Sequence, residues 1–263
     1  MLDAAHDQAT GLRRLFARDT LQVLSVRGTG DCATAVTLDL AAALVELGHR
    51  PLIIDLEKGL AAIALGLKPR YELAHILCGD KVLGDVLLTS RNGIAVLPAL
   101  RGLERAANEG DWQRTLSSML CDAPQAYNVW LVNGVARSVT ESESPLLVLA
   151  PRRDAITAAY AQIKALSRDY GLREFRVVVD GAASESVALS VYASIAETSR
   201  RFLEARLDYF GYLPQDVRSS AQKRCATRTK TAEAPSLRTS AFSRLAEAFF
   251  AVVPVNPSNS ALS

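Results

Sequence analysis

The sequence predicts one doubly wound α/β domain, a mostly parallel sheet with helices on both faces. Three observations lead there. A strand, a Gly-containing turn, a helix and a second strand follow one another between residues 21 and 55, and that order is a βαβ unit with parallel strands. The segments NVWLV at 128–132 and PLLVLA at 145–150 are apolar throughout, as strands are when both faces of a sheet are covered. Helix and strand patterns alternate along the chain with no repeat and no linker, which favours a single layered domain. The 263 residues, 49% hydrophobic and 22% charged, are enough for one well-packed domain or two small ones.

The elements follow in order. Residues 7–18 (DQATGLRRLFAR) read as a short amphipathic helix, because Leu12, Leu15 and Phe16 fall at i, i+3 and i+4. LQVLSV at 21–26 is a strand, and residues 27–33 form the turn after it. Residues 34–47 form a strong helix that Gly48 ends. PLIID at 51–55 is the second strand, and an irregular stretch with two short helices leads to a third at 93–99. A helix at 111–120, the two apolar strands, a helix at 154–170, a strand at 176–179, a long helix at 185–207 and a short edge-like strand at 208–213 come next. Residues 216–225 read as helical, 226–236 as a polar, basic loop and 241–253 as an amphipathic helix. The organisation expected is a helix at 1–19, one α/β domain over 20–255 and a frayed tail at 256–263.

Composition excludes several classes. No apolar run reaches the ~18–20 residues of a membrane span, and the N-terminal segment lacks the apolar stretch of a secretory signal. A cytoplasmic protein is expected. Thirty Lys+Arg against 28 Asp+Glu give a net charge of +2, too balanced for a general nucleic-acid binder. The four cysteines form no CxxC pair and the three histidines are scattered, so no zinc site, disulfide framework or Ser-His-Asp triad is expected. The basic side is uneven: 24 Arg and only 6 Lys, the first being Lys58.

That unevenness bears on the first βα turn, RGTGDCAT. A Gly-rich turn before a helix N-terminus makes an anion site. A working P-loop also needs a lysine for the β/γ-phosphates and a Ser/Thr for Mg²⁺. Gly28, Gly30 and Thr34 are present, but with Thr34 in the magnesium place the lysine place holds Ala33, and Asp31 puts a negative charge in the cradle. If Arg27 leads the motif instead, Cys32 takes the lysine place. Neither register supplies a cation there, and an unpaired charge at such a site costs ~2–5 kcal/mol.

Around this turn the chain resembles the MinD/ParA-like ATPases, and within them the flagellar number regulator branch, FlhG (FleN). The resemblance covers nearly the whole chain. Asp7-Gln8-Ala9-Thr10-Gly11-Leu12-Arg13 matches the branch's N-terminal DQAxxLR element. Asp39-Leu40-Ala41, Leu44, Gly48 and Leu52–Asp55 resemble its NLAxxLaxxGxxVLliD run, and Asp55, Glu57, Gly59, Leu60 and Ala61 its DxDxGLAN segment. Leu65-Gly66-Leu67, the helix with Tyr160, Lys164 and Ala165, Arg201-Phe202-Leu203 and the run from Phe210 to Asp216 match its later segments.

The resemblance implies a P-loop fold, and it implies which positions would meet MgATP. Thr34 and Asp55 keep the family's residues. Asn133 stands where the family has its Mg²⁺-shell aspartate, and Asp180 where related ATPases have an adenine-contacting asparagine. An amide is a poorer ligand for a hard cation, and a carboxylate cannot donate the amide hydrogen bond. No cofactor is expected on this reading, and MgATP is the cofactor if the site works.

The resemblance also implies a partner. The DQAxxLR helix would dock on FlhF, a signal-recognition-type GTPase, and stimulate its hydrolysis. Asp7, Gln8, Leu12 and Arg13 would carry the contact: an apolar face for a groove, an amide that can orient a water, and a cation. The alternative for Leu12, Leu15 and Phe16 is packing on the chain's own sheet. In the last helix, Phe242, Leu245 and Phe249 share an apolar face that either packs on the domain or makes a weak, peripheral contact with the inner membrane or a partner. The function expected is a contact regulator of flagellar number and placement, with FlhF and flagellar switch (C-ring) proteins as partners, no nucleic acid, and a monomeric or nucleotide-independent dimeric state. The alternative is an active MinD-type ATPase that switches between monomer and membrane-bound dimer.

Overall fold

The computed structural model describes residues 22–28, 32–102, 127–134, 144–215 and 237–252. The segments read as helical at 7–18, 111–120 and 216–225, the basic loop at 226–236 and the tail at 256–263 lie outside the described residues, as do Asp7, Gln8, Leu12, Arg13 and Gly30.

Among the described residues the chain runs β1 (Gln22–Gly28), α1 (Cys32–Glu46), β2 (Pro51–Asp55), then three short helices, α2 (Leu60–Ala64), α3 (Leu73–Leu77) and α4 (Leu83–Val86). It continues through β3 (Leu88–Thr89), β4 (Ala95–Pro98), β5 (Val129–Asn133), β6 (Leu146–Leu149), α5 (Arg153–Tyr170), β7 (Glu174–Ala182), α6 (Glu185–Leu203), β8 (Arg206–Pro214) and α7 (Leu237–Val252). The strands form an eight-stranded sheet in the order β3-β4-β2-β5-β1-β6-β7-β8. Every neighbouring pair is parallel except β3 with β4. The doubly wound α/β architecture expected from the sequence is the one observed.

Packing follows strand alternation. On one face Leu24 and Val26 of β1, Ile53, Leu131, Val148 and Val178 meet α1 and α7. On the other, Leu147, Leu149, Val177 and Val179 meet α5 and α6, while Leu52, Ile54, Trp130 and Val132 meet the α3–α4 region. The inner helix α1 is buried on nearly every side, from Ala33 to Leu44, because the sheet covers one flank and α7 the other. Its end is as read: Gly48 is left-handed at φ 84, and the His49 N–H donates to Leu44 O at 2.9 Å.

Several boundaries differ from expectation, most of them for a tertiary reason. The irregular stretch holds three short helices rather than two, and β3 was not expected: a two-residue strand carries no readable period and exists by pairing with β4. β7 spans Glu174–Ala182 rather than 176–179, because β8 pairs along its whole length. α6 stops at Leu203, with Glu204 left-handed at φ 53, although residues 204–207 continue its pattern. Arg206 and Leu207 are instead drawn into register with Glu174 and Phe175. α7 starts at Leu237 rather than 241.

The last helix takes the first of its two readings, packing on the domain. Phe242, Leu245 and Phe249 are 2%, 5% and 1% exposed and belong to the core around α1. In this conformation they offer no face to a membrane or a partner. Close approach of α7 to the sheet uses Gly211 of β8, at φ 142, where a Cβ would lie 3.0 Å from Leu245 Cδ2.

Candidate functional site

The carboxyl ends of β1, β2 and β5 and the first turn of α1 bring together three of the residues singled out from the sequence. β5 lies between β1 and β2, so Asn133 sits in register with both Val26 and Asp55. Thr34, in the first turn of α1, faces the amide. Asn133 Nδ2 donates to Thr34 Oγ1 at 3.0 Å and to Asp55 Oδ1 at 3.3 Å. Asp55 and Asn133 are fully buried and Thr34 nearly so.

Asp55 is held from a second side. Its Oδ1 accepts from the Glu57 N–H at 2.9 Å and its Oδ2 from the Ala61 N–H at 2.9 Å. The carboxylate thus ties down the loop after β2 and meets one of the first N–H groups of α2, which have no partner inside their own helix. Burial pushes the Asp55 carboxyl above the usual carboxylate range, and these hydrogen bonds pull it part of the way back. Burial also raises Glu57, helped by the charge of Asp55. Gly134 makes room for it: at φ 111, a Cβ there would stand 2.9 Å from Glu57 Oε1.

The turn itself is described at its two ends. Gly28 closes β1, and its carbonyl accepts from Gln162 Nε2 of α5 at 3.1 Å. A Cβ at Gly28 would lie 3.0 Å from Cys32 Sγ and 3.2 Å from Val148 O, so the strand end and α1 approach too closely for a side chain. Ala33 presents only a methyl, 6% exposed. Arg27 is 2% exposed, points away from α1, and has no hydrogen-bond partner on its guanidinium among the described residues.

Asp180 is not part of this cluster. Arg238 of α7 donates to its Oδ1 at 2.7 Å and to Pro214 O at 3.2 Å, pairs with Asp39 of α1 at 3.6 Å, and lies 5.3 Å over the Phe242 ring. One guanidinium therefore joins α1, β7, β8 and α7. The sequence leaves Arg238 between the basic loop and the last helix and hides this role, because its partners lie far away along the chain. The signal that could have found it is an arginine in the first turn of a helix, where the dipole disfavours a cation. Arg238→Met is expected to destabilise the fold by about 1–3 kcal/mol, below the ~3–5 of a fully buried pair because the partners keep some exposure. Urea unfolding measures it.

The fold, the Gly turn at the end of β1 and the buried Thr34–Asp55–Asn133 cluster at the strand ends define a P-loop NTPase domain of the MinD/ParA class. Comparison with known proteins agrees. MinD in the MinC:MinD cell division protein complex of Aquifex aeolicus superposes with a TM-score of 0.64 at 21% identity, over 89% of this chain and 98% of that one. MinD complexed with Mg-ADP from Pyrococcus horikoshii gives 0.55 at 19%, over 87% and 95%. These likenesses speak to the fold. No protein-family model matches the chain. The antiactivator FleN of Pseudomonas aeruginosa is 33% identical over 229 residues, 82% of each chain. This chain belongs to the FleN family.

Proposed function

We propose that this chain is a FlhG-like regulator of flagellar number and placement that works by contact with the GTPase FlhF through its N-terminal DQATGLR helix, with an inactive nucleotide site. The observation that carries this reading is the closed cluster at the strand ends. The hydroxyl of Thr34 and the amide of Asn133 bond to each other, and the Asp55 carboxylate is taken up by backbone N–H groups and Asn133. Ala33 offers no charge to a phosphate. This donor set fits MgATP poorly: a hard cation needs free oxygen ligands, and a triphosphate needs a cation at the turn. The motif at residues 7–13 supports the FlhF contact, which requires no nucleotide.

Two measurements test the two halves. Calorimetric titration with MgATP is expected to show no binding in the micromolar range, and sedimentation no nucleotide-driven dimer. Micromolar binding that is lost in Thr34→Ala would overturn the inactive site and favour the ATPase reading, which phosphate release from ATP then decides. The full chain is expected to raise the GTPase rate of its FlhF, and Gln8→Ala to remove most of that stimulation. Equal rates with and without the chain would overturn the partner assignment.

A further inference from the structure

β1 is a central strand, between β5 and β6. On the α1 side its positions are apolar, Leu24 and Val26. On the opposite side two successive positions are polar: Ser25 and Arg27, 4% and 2% exposed, brought together by strand alternation. Among the described residues, neither Ser25 Oγ nor any guanidinium nitrogen of Arg27 has a hydrogen-bond partner. No carboxylate among the described residues pairs with Arg27. The ionisable group that acts on it there is Tyr170 of α5. Desolvation lowers the guanidinium to about 10, so it stays charged at neutral pH.

Such an arrangement is costly. A buried cation is normally paired, and a buried donor normally has an acceptor. Arg27 presents five donors in a planar fork that matches the spacing of phosphate oxygens. The Ser25 hydroxyl can donate beside it, and Gln162 of α5 reaches the next residue of the strand. Arg27 and Ser25 are donors wanting an anion, and Gln162 keeps a second amide hydrogen beyond the one it gives to Gly28 O; they lie near the carboxyl end of a central strand, where ligands of open α/β sheets bind.

We propose that Arg27, with Ser25 and Gln162 beside it, is the receptor of a phosphate group that binds on the sheet face opposite α1, separate from the Thr34–Asp55–Asn133 cluster. The phosphate is either free orthophosphate or the end of a nucleotide bound without magnesium. This site stands whether or not the chain regulates FlhF.

Thermal unfolding of the full chain, with orthophosphate or magnesium-free ATP added at constant ionic strength against chloride, tests it. Orthophosphate, ATP or both are expected to raise Tm by several degrees, and the arm that responds identifies the source. Arg27→Met is expected to abolish the response while holding or raising Tm in chloride, since it removes an uncompensated charge. Ser25→Ala and Gln162→Leu are expected to weaken the response several-fold, and they decide the matter if Arg27→Met does not fold. A wild-type Tm that neither anion raises above chloride overturns the proposal. So does a full response in Arg27→Met, or in both Ser25→Ala and Gln162→Leu.

Discussion

Asp55→Ala is expected to lower the free energy of unfolding by about 3–5 kcal/mol, read as a fall in the urea midpoint at unchanged slope. Three donors lose their acceptor at once: the N–H groups of Glu57 and Ala61 and the Asn133 amide. Each buried donor left unsatisfied costs ~1–3 kcal/mol, and partial access of water to the loop keeps the total below the full sum. Asp55→Asn keeps one acceptor and is expected to cost less. The two forms should also diverge with pH. The native carboxyl titrates above its unfolded value of 3.8, so between those values the native state holds more proton than the unfolded one. Stability from this group therefore falls as pH rises through that window and returns on acidification. Wild type should gain on Asp55→Asn as pH is lowered. A difference that stays flat with pH would show that folding does not shift the Asp55 carboxyl.

Phe249→Ala and Phe242→Ala are each expected to cost about 3–5 kcal/mol, the range for emptying a buried aromatic site. Both rings lie in the core shared by α1, α7 and the sheet. Whole domains are stable by only ~5–15 kcal/mol, so the double variant is expected to be unfolded at room temperature by circular dichroism. Leu237→Ala, at a residue of the same helix that is 81% exposed, serves as the control and should change stability by less than about 0.5 kcal/mol. If both phenylalanine variants were as stable as that control, α7 would not be docked on α1 in solution.

The fold was legible because its signals are local. The βαβ order at the start and the unbroken apolar strands at 128–132 and 145–150 depend on neighbouring residues. The edges were less legible. Residues 204–207 look helical alone and become strand because β7 offers them a ladder. Within the site, the family resemblance singled out Thr34, Asp55 and Asn133, and the structure brings them together. Asp180 could not be understood this way. Its identity answers to Arg238, 58 residues away, and no periodicity connects them. Arg27 shows the same limit. The sequence reads it as part of a turn, while the register with Leu147 of β6 puts it inside the sheet.

The burial of α1 between the sheet and α7 also sets an order of events during synthesis. The helix is made near the beginning of the chain and its outer cover near residue 240. At roughly 5–20 residues per second, the ribosome leaves that apolar flank uncovered for on the order of ten to forty seconds. For that interval the nascent chain carries a sticky stripe that its own folding cannot yet hide. Chaperone occupancy should therefore peak before α7 is translated, and a stalled or truncated product lacking α7 should be held by chaperones or aggregate.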